Sequence, residues 1–125
     1  MNLVKIKLAL GRTREYPAGD VRHGYEFIAP LDAKGHLDAA AWKTQKELCT
    51  VRSFRPGRKD RFGHLRHVRG GWRFDYEPVA PGDDKPFFNL DRHLIAQGLY
   101  VTITEENGEQ LPFRIVAMTQ FRKAA

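Results

Sequence analysis

Leu99-Tyr100-Val101-Thr102-Ile103-Thr104-Glu105-Glu106-Asn107-Gly108-Glu109-Gln110-Leu111-Pro112-Phe113-Arg114-Ile115-Val116-Ala117 reads as two strands joined by a turn. Leu99, Val101 and Ile103 alternate with Tyr100, Thr102 and Thr104. Leu111, Phe113, Ile115 and Ala117 resume the same alternation after Asn107-Gly108. A period of two is what a strand with one buried face requires. The turn then decides the register. A two-residue turn on Asn107-Gly108 would set Ile103 against Pro112 and Val101 against Arg114, mixing apolar with polar on one face. A three-residue loop, 106–108, sets Ile103 against Leu111, Val101 against Phe113 and Leu99 against Ile115, so that face is wholly apolar. Because burial fixes register, the sequence predicts the three-residue loop, a left-handed Gly108 and a C-terminal β-hairpin over 99–118.

The same period extends outward. Val4, Ile6, Leu8 and Leu10 alternate with Lys5, Lys7 and Ala9, which predicts a first strand. Further strands are expected over Tyr25–Leu31 and Leu48–Phe54, and where Trp72, Phe74 and Tyr76 alternate with Arg73, Asp75 and Glu77. Asp38 is placed to N-cap a two-turn helix over Ala39–Lys46, with Trp42 as its anchor in the core. Gly11–Gly24 and Arg58–Gly71 read as polar loops, the second with at most a short strand near Leu65–Val68. Phe87–Leu90 and His93–Ile95 are short apolar pieces of unassigned form. The expected fold class is mainly β with one short helix. The architecture would be a small antiparallel β-barrel or closed sandwich of five to six short strands with long polar loops.

A chain of 125 residues suits one domain spanning 1–125, and 42% hydrophobic content is enough for a packed core rather than a disordered chain. Cys49 is the only cysteine, which excludes an intramolecular disulfide and a thiolate-rich zinc site and fits a reducing cytoplasm. No apolar run approaches the ~18 residues of a membrane helix, so no membrane association is expected.

The net charge of +6 is concentrated. Arg52, Arg55, Arg58, Lys59, Arg61, Arg66, Arg69 and Arg73 fall within one segment, 52–73, whose only acid is Asp60, while the remainder is near neutral. Guanidinium binds phosphate bidentately, and the interleaved Phe54, Phe62, Trp72 and Phe74 could stack on bases where exposed. The expectation is therefore non-catalytic binding of RNA or single-stranded DNA by an Arg-rich loop. Its residues would be Arg52, Arg55, Arg58, Lys59, Arg61, Phe62, Arg66, Arg69, Trp72 and Arg73. A second reading is docking on an acidic protein partner, or self-association as a homodimer. A third is a barrel that holds a small anionic ligand.

Enzymatic chemistry finds little support. His64 and His67 could share a metal ion on a helix, but on a strand they would face opposite ways, and Arg66 lies between them. Cys49 sits among apolar neighbours, as an inert buried thiol does. No nucleophile elbow, P-loop or dinucleotide loop is present, so neither cofactor nor metal is expected.

Overall fold

A computed structural model describes residues 3–68, 71–77, 87–88, 94–105 and 108–122, with backbone alone at 77, 87 and 88. The chain runs through β1 (Leu3–Leu10), β2 (Asp20–Pro30), α1 (Ala39–Thr44), a 3₁₀ turn (Lys46–Leu48), β3 (Thr50–Arg55) and β4 (Arg58–Val68). It continues with β5 (Gly71–Glu77), β6 (Phe87–Phe88), β7 (Tyr100–Thr104) and β8 (Gln110–Gln120). Each strand pairs antiparallel with the next, and β8 returns to β1 from Val4↔Gln120 to Leu10↔Phe113. The sheet thus curls into a ring. Between β5 and β7, β6 pairs Trp72↔Phe88, Arg73↔Phe87 and Phe87↔Thr104 among the described residues.

Alternation places one row of each strand inside the curl. Ile6, Leu8, Tyr25, Phe27, Val51, Leu65, Trp72, Phe74, Val101, Ile103, Phe113 and Ile115 are all buried there. A ring of eight strands is just wide enough for side chains to fill. The filling here is aromatic: Tyr25 lies 5.1 Å from Phe74 and 5.2 Å from Phe113, and Phe27 lies 5.3 Å from Phe74, between ring centres. Gly63, on the inner face of β4, permits the tight coil. A β-carbon there would stand 1.8 Å from the carbonyl oxygen of Asp75, so no other residue fits without moving β5.

The hairpin register is the one that burial demanded, with Ile103↔Leu111, Val101↔Phe113 and the Ile115 N–H donating to Leu99 O at 2.8 Å. Gly108 is left-handed at φ +84°, while Glu106 and Asn107 lie outside the described residues. Asp38 caps α1 by accepting the Ala41 N–H at 3.1 Å. Other expectations need correction. Arg58–Gly71 is not a loop: β4 is an eleven-residue strand with ladders to β3 and β5 on its two sides. Pairing on both sides outweighs its polar composition, because alternate residues only have to tolerate solvent. The second strand starts at Asp20 rather than Tyr25, and the third starts at Thr50, since Leu48 belongs to the 3₁₀ turn. The mainly β class with one short helix holds, and the described residues form eight strands, one of them two residues long, close to the expected five to six. Leu90 and His93 lie outside the described residues.

Successive connections alternate between the two ends of the ring. The β2–β3 connection carries α1, which closes one end. Trp42 is buried, donates Nε1–H to Leu65 O at 2.9 Å, and meets the Trp72 ring edge-on at 6.0 Å. His67 lies against Trp72 at 4.5 Å. The segment before β7 joins this end through the Ile95 N–H, which donates to Gly35 O at 2.8 Å. Among the described residues no helix is long and apolar enough to cross a membrane.

Candidate functional site

The β3–β4 hairpin divides the basic segment between two faces. Arg52 pairs with Phe62 and Ser53 with Arg61. The register then shifts so that Arg55 pairs with Arg58 across Pro56-Gly57. Proline followed by a glycine at φ +77° is the residue pattern of a type II turn. That turn splays the strands of a two-residue hairpin, and a register shift absorbs the mismatch while re-aiming a side chain. Cross-strand partners share a face. Ser53, Arg55, Arg58 and Arg61 therefore stand on the inner side at the mouth opposite α1, while Arg52, Phe62 and His64 stand outside.

The mouth is organised around Glu105, which is 3% exposed. Its Oε1 accepts from His23 Nε2 at 2.7 Å and lies 3.3 Å from Arg55 Nη2. Its Oε2 accepts the Tyr25 hydroxyl. Burial pushes the Glu105 carboxyl upward, but the hydrogen bonds from His23 and Tyr25 and the Arg55 charge outweigh it and hold the group below its ordinary value. Burial, with Tyr76 and Glu105 beside it, raises the Tyr25 phenol, so it remains a donor. Arg58 Nη2 donates to Ser53 Oγ at 2.8 Å, and the Arg61 guanidinium lies 4.8 Å from the centre of the buried Tyr76 ring.

On the outer face of β1–β4 runs a groove of about 540 Å³ lined by Lys5, Glu26, Thr50, Arg52, Phe62 and His64. Phe62 is 58% exposed. Arg52 stacks over Phe54 at 4.7 Å and pairs with Asp60 at 2.9 Å and more loosely with Glu26 at 3.8 Å. Lys5 stands 3.5 Å from Glu26. Further along, Arg66 and Arg73 both engage Asp75, at 2.7 and 3.1 Å.

The basic segment is thus three groups rather than one loop. Arg52 and Phe62 line the groove, Arg66 and Arg73 are tied to Asp75, and Arg55, Arg58 and Arg61 turn into the mouth. Lys59 is exposed beside the turn, and Arg69 lies outside the described residues. Trp72 is fully buried, so its ring is not available to stack on a base. Its inward parity in β5 puts it in the core. His64 lines the groove while His67 packs inside on Trp72, so the two histidines do not meet. Among the described residues no group of three metal-ligating side chains forms. Cys49 is buried and its thiol is pushed up to about 11 by that burial.

Sequence reasoning overlooked Glu105, His23 and Tyr25 as a cluster. The signal was present: Glu105 continues the buried parity of Val101 and Ile103, and His23 that of Tyr25 and Phe27. The chain matches no family model, no curated protein and no solved structure. Function is accordingly read from its own residues.

Proposed function

We propose that the chain is a non-catalytic small β-barrel module that binds single-stranded nucleic acid, RNA or single-stranded DNA, along the outer groove of β1–β4. The observation that carries this reading is the exposed Phe62 ring in a groove flanked by Lys5, Arg52 and His64. A base stacked on an exposed aromatic contributes ~1–3 kcal/mol whatever its identity, because every base has a π-face. Lys5 and Arg52 line the same groove as Phe62 and would meet the phosphates of a strand stacked there. Their present pairs with Glu26 and Asp60 are solvent-accessible, and such pairs contribute only about 0–1 kcal/mol, so phosphate can displace them. A module with one buried thiol and no disulfide suits a reducing cytoplasm.

Fluorescence anisotropy with a labelled mixed-sequence oligonucleotide, repeated over a salt series, tests the reading. Phe62→Ala should weaken binding by roughly 5- to 150-fold. Arg52→Gln should lower the slope of log affinity against log salt by about one. Equal affinity and slope in both variants would exclude the groove as the interface.

A further inference from the structure

We infer that the mouth of the ring is a second site, separate from the outer groove, for a phosphate-type oxyanion gripped between Arg55 and Arg58 with Arg61 behind them. The first ground is the hairpin itself. Its turn and register shift set Arg55 directly opposite Arg58, and like charges opposed across a ladder repel. An anion between them reverses the sign of that interaction.

The second ground is charge and hydrogen bonding. Arg55 reaches Glu105, the one buried carboxylate among the described residues, while Arg58 reaches Ser53 and Arg61 lies over the Tyr76 ring. Both Glu105 oxygens are already engaged by His23, Tyr25 and Arg55. Arg58 donates to a neutral hydroxyl, Ser53 Oγ. The Nε atoms of Arg55 and Arg58 are buried and have no hydrogen-bond partner among the described residues. Buried donors in folded proteins are almost always satisfied, and an oxyanion would supply acceptors for both once the guanidinium groups turn toward it.

The third ground is shape. The two arginines reach the mouth from facing strands of one hairpin. A tetrahedral phosphate presents oxygens in several directions, whereas a carboxylate presents both in one. The Tyr25 and Tyr76 rings wall the site, and the reduced local dielectric strengthens each contact. Arg61 is held over the Tyr76 ring at 4.8 Å.

The test is an NMR titration of the full chain with inorganic phosphate against sodium chloride at matched ionic strength, following the arginine Nε–H signals. Saturable shifts at Arg55 and Arg58 with phosphate alone are expected. Arg58→Gln should weaken phosphate at least tenfold, and Arg58→Lys, which keeps the charge but loses the fork, should fall between that variant and wild type. Lys59→Gln, altered at an exposed neighbour, should bind as wild type does. Phe62→Ala should also retain phosphate, which separates this site from the outer groove. Adenosine monophosphate binding tenfold tighter than phosphate would identify a nucleotide as the source, and equal binding a free anion; both support the site. Identical responses to phosphate and chloride, or equal losses in Arg58→Gln and Lys59→Gln, would overturn it.

Discussion

At the α1 end the interior is closed by Trp42 and Trp72, with His67 alongside and one indole hydrogen bond to Leu65 O. At the opposite end it is closed by Glu105, bound by His23, Tyr25 and Arg55. Both ends exclude water from the same aromatic core, yet they rely on different physics. An apolar plug is sensitive to volume, because a lost side chain leaves a cavity and forfeits dispersion contacts. A charged plug is sensitive to completeness, because each partner removed strands the others in a poorly solvated site.

The largest effect should come from the apolar end. Trp42→Ala is expected to cost about 3–5 kcal/mol in urea unfolding, as removal of a buried aromatic does. A loss below ~1 kcal/mol would mean that α1 decorates the ring rather than closing it. Glu105→Gln comes next, with an expected cost of about 2–3 kcal/mol from weakened hydrogen bonds to a charged group. The two variants should differ in pH dependence. The folded-state pKa of Glu105 lies below its ordinary 4.5, so its contribution is complete above that value and disappears as pH falls through the lowered one. Wild type and Trp42→Ala should share that acid-side slope, and Glu105→Gln should flatten it. The same slope in all three would place the acid sensitivity elsewhere.

The subtlest expectation concerns access rather than stability. Cys49 is fully buried beside the α1 end, where its carbonyl accepts the Leu65 N–H, and its raised thiol is protonated at neutral pH. Iodoacetamide should leave the native thiol unmodified for hours. Trp42→Ala should label at least tenfold faster. Glu105→Gln, compared at equal global stability, should not, since its opening lies at the other mouth.

These contrasts also explain what the sequence could and could not disclose. The apolar end was legible: Asp38 followed by three alanines and Trp42 signals a capped helix with one anchor, and alternating apolar residues fix the β7–β8 register. The polar end was not, because a composition of arginine, glycine and histidine reads as loop. In β4 that composition is a strand, since ladders on both sides supply what local propensity withholds. Nor does charge density reveal where a guanidinium points. One register shift after Pro56-Gly57 carries Arg58 to the inner side, and only pairing geometry specifies it. Trp72 shows the complementary error. An aromatic among arginines suggested a stacking surface, while its strand parity had already assigned it inward.

Among the described residues, seven of the eight ladders join antiparallel strands that are consecutive in sequence. The eighth, β1 on β8, joins Val4 to Gln120 and is extended by the Phe121 N–H donating to Leu3 O at 2.9 Å. Loop-closure entropy grows only logarithmically, about 0.6 kcal/mol per doubling of length, so this long closure costs little more than a medium one. What it gives in return is a mutual latch. Neither the first strand nor the last can fray without releasing the other, and the segments that fray first in most small domains are here each other's clasp.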